Sequence, residues 1–123
     1  MFVSRSTVGL TVLAAVLAMA VSACGSSSPS APTVAAADVT ITMVADRAAQ
    51  SYSPNPTTMR VGQTVAWKNS DTTAHDATQD ASRFASGIVN AGATSSPVAM
   101  ATAGTFTYHC TLHPGMVGTL IVQ

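Results

Sequence analysis

The stretch Tyr108-His109-Cys110-Thr111-Leu112-His113-Pro114-Gly115-Met116 puts a thiol, an imidazole and a thioether into one short turn, with Pro114-Gly115 supplying the bend. Thiolate and thioether are soft donors that favour copper(I), whereas imidazole serves both oxidation states of copper. Two imidazoles, one thiolate and a weak axial thioether form a donor set suited to a single copper ion that changes charge by one electron. Such a set needs a second histidine from elsewhere in the chain. His75 can provide it, because it follows an apparent strand in the segment Asp71-Thr72-Thr73-Ala74-His75. Taken singly, the spacing C-x-x-H-x-x-M is a weak signal and a lone histidine is more often a polar loop residue. The conjunction of His75, Cys110, His113 and Met116 is much more specific.

These residues need a scaffold, and the pattern from Asp38 onward is that of short strands broken by Gly, Pro, Asn and Asp. Val39, Ile41 and Met43 alternate with Thr40, Thr42 and Val44, as in a half-buried first strand. Pro54 and Pro56 exclude a central strand. Residues 57–60 lead to a turn at Val61-Gly62-Gln63, and residues 64–68 form the next strand, with Val65 and Trp67 on one face. Residues 80–93 read as an irregular connection. Further strands are expected over residues 95–100, 105–110 and 117–122. Phe106, Tyr108 and Cys110 share parity, so inward-facing aromatics bring the Cys110 sulfur inward as well, while His109 faces out. Met43, Met59, Met100, Trp67 and Phe84 read as packing residues. The expected fold is all-β, a Greek-key β-sandwich or barrel.

The N-terminus is of a different kind. A single early charge, Arg5, precedes an apolar run from Val8 to Val21 that is short for a membrane span and reads as a secretory signal. The run ends in Val21-Ser22-Ala23-Cys24, which resembles a bacterial lipobox. Residues 1–23 are then a lipoprotein signal peptide, and Cys24 is the lipidated first residue of the mature chain. Residues 24–37 form a flexible Ser/Pro/Ala linker and residues 38–123 the folded domain. The alternative is ordinary cleavage nearby, with Cys24 a stray thiol or a disulfide partner for Cys110. After loss of Arg5, four basic residues face five Asp, a formal charge of −1. That leaves no basic patch for nucleic acid. If Cys24 is lipidated, Cys110 is the only thiol in an oxidising compartment, which metal ligation would explain.

The chain resembles the plastocyanin-like cupredoxins, type 1 blue-copper proteins, and within them is closest to the amicyanins. The resemblance runs through Tyr52 to Pro54, the block V-G-x-T-V-x-W-x-N from Val61 to Asn69, F-x-S-G from Phe84 to Gly87, and G-x-F-x-Y-H-C-x-x-H-P-x-M-x-G from Gly104 to Gly118. It implies the cupredoxin fold and one copper ion. His75, Cys110 and His113 would be the strong ligands, Met116 the long axial one, and His113 the ligand at the surface end. One position departs from the pattern. The residue after the first His ligand is usually Asn, hydrogen-bonded to the ligand loop, and here it is Asp76. A carboxylate donates only when protonated, so that link is expected to be changed or replaced, with Asn69 or Thr111 as candidates to compensate. An ionised Asp76 near copper would favour Cu(II); a solvent-facing Asp76 would do little.

Four protein ligands leave no open position for a substrate, which argues against an enzyme. The expected role is a monomeric one-electron carrier between redox partner proteins, lipid-anchored to a bacterial membrane on its extracytoplasmic side, in the periplasm or on the cell surface. Leu112 and Pro114, with Met116, would form an apolar docking patch, and the sparse charge implies weak electrostatic steering. The competing roles are a module that stores or delivers copper and a metal-free immunoglobulin-like interaction domain in which Cys110 is merely buried.

Overall fold

The computed structural model describes residues 35–123. The signal peptide, Cys24 and most of the linker expected from the sequence lie outside the described residues. The strands are β1 (Val39–Met43), β2 (Tyr52–Ser53), β3 (Thr57–Met59), β4 (Thr64–Asn69), β5 (Thr78–Gln79), β6 (Val98–Ala99), β7 (Gly104–His109) and β8 (Val117–Val122). The one helical element among the described residues is a single 3-10 turn at Ala48–Gln50. No helix among the described residues is long and apolar enough to cross a membrane.

The strands form two four-stranded sheets, ordered β2-β1-β4-β6 and β3-β8-β7-β5. Each sheet is mixed, with β1 parallel to β4 and β3 parallel to β8. The first pairing sets Ile41 beside Trp67 and Met43 beside Asn69, so the inward residues of both strands fall in step. This is the all-β sandwich that the alternation of apolar residues implies. Ile41, Met43, Val65, Trp67, Tyr108 and Leu120 are fully or almost fully buried between the sheets. Met59 and Met100 join the same core, where flexible thioethers fill irregular space.

Two boundaries differ from the sequence expectation. The strand expected over residues 95–100 shrinks to Val98–Ala99. Pro97 has no N–H for a ladder, and the Ser95 hydroxyl takes the Trp67 N–H at 3.0 Å, replacing strand pairing with a side-chain contact. Within the stretch around residues 80–93, isolated bridges join His75 to Val89 and Thr78 to Ala85. The connection is irregular in outline yet tied to the strands beside it. Gly62, at φ +90°, makes the turn before β4 and donates its N–H to the Met100 carbonyl at 2.8 Å.

An aromatic cluster fills the interior. Tyr52 meets Tyr108 edge-on at 4.8 Å between ring centroids, Trp67 stacks on Phe84 at 5.6 Å, and Trp67 meets Tyr108 edge-on at 5.8 Å. Gly118, directly opposite Tyr108 in the β7–β8 ladder, gives that ring its room. A Cβ at Gly118 would come within 2.3 Å of the Tyr108 ring, closer than any real contact. Because Tyr52, Trp67 and Phe84 hold the ring in place, it has little freedom to yield. Gly118→Ala is expected to destabilise the domain by about 1–3 kcal/mol through overpacking, read as a lower midpoint in denaturant unfolding; an unchanged midpoint would show that the ring moves freely.

Candidate metal centre

Both parts of the centre sit at strand ends. His75 lies in the loop that leaves β4 of the first sheet, and Cys110 directly follows β7 of the second. Alternation along β7 buries Phe106, Tyr108 and Cys110 together, and His109 emerges on the other side, where its Nδ1 lies 2.7 Å from Asp80 Oδ1. After Cys110 the chain closes on itself: Met116 N–H donates to the His113 carbonyl at 2.8 Å, and Cys110 N–H donates to the Met116 carbonyl at 3.1 Å. The turn containing Pro114-Gly115 therefore brings His113 and Met116 back to Cys110.

Three donor atoms converge. His75 Nδ1 and His113 Nδ1 are 3.1 Å apart, and Cys110 Sγ lies 3.9 Å from the first and 3.7 Å from the second. All three fall within 4.8 Å of one another. Metal–nitrogen and metal–sulfur bonds of about 2.0 and 2.3 Å around a three-coordinate ion would place the nitrogens about 3.5 Å apart and nitrogen and sulfur about 3.8 Å apart. The observed separations are close to these, so the residues fit a metal ion of that size with small adjustments. His75, Cys110 and Met116 are fully buried, while His113 is half-buried and reaches the surface.

The surroundings orient these groups. Asp71 Oδ2 lies 2.8 Å from His75 Nε2, which places the ring proton on Nε2 and turns the Nδ1 lone pair toward His113 and Cys110. The bond to His75 also holds the Asp71 carboxyl down at about 2. Burial raises the Cys110 thiol, and the Asp76 N–H, 3.4 Å from Sγ, opposes that rise by favouring the thiolate. A bound metal would remove the thiol proton outright.

Asp76 is buried, which rules out the solvent-facing alternative. Its Oδ1 accepts the Thr111 N–H at 2.6 Å, and its Oδ2 accepts the hydroxyls of Thr111 at 3.0 Å and Thr78 at 2.8 Å. Burial raises its pKa, but bonds from Thr78, Cys110 and Thr111 outweigh that and keep it below the ordinary carboxylate range. The link to the ligand loop thus runs in reverse: Thr111 donates and residue 76 accepts. Asn69 acts elsewhere. Its Nδ2 donates to the carbonyls of Thr73 at 2.7 Å and Val89 at 2.9 Å, and its Oδ1 accepts the Asp71 N–H at 2.9 Å, bracing the loop that carries His75. Tyr52 adds a further tie, donating its hydroxyl to the Asp76 carbonyl at 2.5 Å.

Around the half-buried His113, Leu112 and Pro114 are exposed, as the docking-patch expectation requires, but Met116 is buried and takes no part in it. Its side chain belongs to the core because Met116 closes the turn beneath the surface. Val44 and Val117 at the ends of β1 and β8, and Ile88 beside the His75 bridge partner Val89, are exposed apolar residues toward the same end. Sequence reasoning passed over Asp71, although a carboxylate four residues before a candidate ligand, at a strand end, was a usable signal.

A two-sheet sandwich that closes one end over two imidazoles and a thiol defines a class of small β-proteins built to hold one soft metal ion. A Cupredoxin-like domain family model matches residues 11–122. Amicyanin of Paracoccus denitrificans is 32% identical over 97% of this chain and 95% of its own length, and plastocyanin of Scenedesmus fuscus is 34% identical over 70% of this chain and all of its own. Among solved structures, a purple cupredoxin from Nitrosopumilus maritimus superposes with a TM-score of 0.63 at 28% identity, covering 70% of this chain and the whole of that one. The chain belongs to the cupredoxin family.

Because Asn69 supports two carbonyls and one N–H of the His75 loop from a fully buried position, Asn69→Ala is expected to cost about 2–4 kcal/mol and to weaken metal binding. Denaturant unfolding and metal titration check this; a variant with unaltered stability and affinity would show that the loop holds itself.

Proposed function

We propose that this protein holds one copper ion through His75, Cys110 and His113, with Met116 as a long axial ligand, and that it carries single electrons between protein partners. The observation that carries this reading is the convergence of two Nδ1 atoms and one sulfur within 4.8 Å at a buried strand end. Copper supplies the one-electron chemistry; the protein supplies a site whose ligands are held by strand ends and by bonds from Asp71, Asp76 and Asn69. A packed site of this kind changes little in shape with charge, which suits outer-sphere transfer. Likeness to amicyanin and plastocyanin supports the same role.

Electrons would pass at His113, the ligand that reaches the surface, with Leu112 and Pro114 forming an apolar contact around it. Burial of His75 and Cys110 favours the carrier over a module that hands its ion on, since exchange with an acceptor protein needs access to the ligands. We assign the protein to the extracytoplasmic face of a membrane, anchored by lipid on Cys24. That part rests on the sequence of residues 21–24 and the linker behind it.

Copper(II) added to the protein is expected to give an intense blue or purple colour from thiolate-to-copper charge transfer, and Cys110→Ser to abolish it. Colour that survives the substitution would overturn the site. For the anchor, wild-type protein is expected in the membrane fraction and Cys24→Ser in the soluble fraction or unprocessed. A mature wild-type chain starting beyond Cys24 would rule out the tether.

A further inference from the structure

We infer that Asp71 and Asp76 act together as fixed negative charges beside the metal centre, biasing it toward the oxidised ion and setting its reduction potential below that of the same centre with amides in their place. The inference rests on the copper reading above and concerns residues outside the candidate ligand set.

The two carboxylates reach the centre by different routes. Asp71 contacts His75 on the ring edge away from Cys110, 2.8 Å from Nε2, and is itself fixed by the Thr72 N–H at 2.7 Å and the Thr73 hydroxyl at 3.0 Å. Asp76 stands on the thiol side, its backbone N–H on Cys110 Sγ and its carboxylate on the N–H and hydroxyl of Thr111, the residue after Cys110. The Thr111 N–H and the hydroxyls of Thr78 and Thr111 all donate to the Asp76 oxygens, an arrangement that matches an ionised carboxylate.

No Lys or Arg among the described residues forms an ion pair with either group; the carboxylate–imidazole contacts present are Asp71 with His75 and Asp80 with His109. Neither charge is therefore cancelled locally by a fixed cation. Attraction between a fixed negative charge and an ion grows with the ion's charge, so a doubly charged copper gains twice what a singly charged one gains. The difference opposes reduction. Burial keeps the Asp76 field largely out of reach of salt, while Asp71, about one-fifth exposed at 22%, is screened more. An electron donor for this protein must therefore be a stronger reductant than an amide-lined centre would require.

The test uses the full chain loaded with copper. Midpoint potentials of wild type, Asp71→Asn, Asp76→Asn and the double variant are read by mediated redox titration at low and high salt. Affinities for Cu(I) and Cu(II) are read separately by competition with chelators. Each single variant is expected to raise the potential and the double variant to raise it further, with the Asp71 effect shrinking in salt and the Asp76 effect persisting. Cu(II) affinity is expected to fall several-fold more than Cu(I) affinity. Asp76→Glu, which keeps the charge, should stay near wild type, a result that a purely structural role for the side chain would not give. Potentials unchanged or lowered in both Asn variants, with the coloured spectrum intact, would overturn the inference, as would equal losses of the two affinities. If Asp76→Asn does not fold, Asp71→Asn decides by the same criteria. A wild-type chain that never becomes coloured defeats the copper reading instead, so the two failures are told apart.

Discussion

The contact on which the rest depends is the tie between residue 76 and the Cys110 loop. His75 belongs to the loop that runs from β4 of one sheet into β5 of the other, and Cys110 follows β7, which β5 joins with Thr78 opposite His109. Asp76 joins them three times, through its N–H on Cys110 Sγ and through both carboxylate oxygens on Thr111. The β5–β7 pairing brings the two segments side by side, and the tie holds them at the donors themselves. With it, the candidate ligands from two sheets share one local frame, and Tyr52 fixes that frame to the core through the Asp76 carbonyl.

The core beneath is arranged to hold that frame rigid. Tyr52, Tyr108, Trp67 and Phe84 interlock at angles that leave each ring little freedom. Tyr108 is two residues before Cys110 on the same face of β7, so a ring locked in the core also fixes the direction in which the sulfur points. The bare backbone at Gly118 belongs to this arrangement, since it lets the Tyr108 ring lie against β8. Packing and site are thus parts of one structure, and a change in the first is transmitted to the second within two residues.

Much of this was legible in the chain. Alternation in residues 39–43 and 104–109 revealed strands and their inward faces, because a two-residue period records burial directly. The candidate donors were visible because soft and imidazole side chains in one turn are chemically distinctive. The short strand at Thr78–Gln79 was not foreseen, and β6 was drawn too long, because two-residue strands leave no period to detect. Of the two residues offered to replace the link at residue 76, Thr111 makes the bond to Asp76 while Asn69 braces the His75 loop. Side-chain bonds to backbone carbonyls twenty residues away leave no mark in a local pattern. Asp76 was singled out from the sequence, but the direction of its bonds could come only from three dimensions.

The order of the candidate ligands along the chain has a consequence for how the protein matures. Cys110, His113 and Met116 are neighbours in sequence, so they stay close even when the strands are apart, and folding adds only His75 to the set. The extended chain is thus already a tridentate chelator, and copper gains less from the fold than it would from four scattered ligands. Because the ion also binds the unfolded chain, it stabilises the native state by less than its native affinity alone would give. The same proximity lets a newly made polypeptide capture its ion first and close the sandwich around it afterwards.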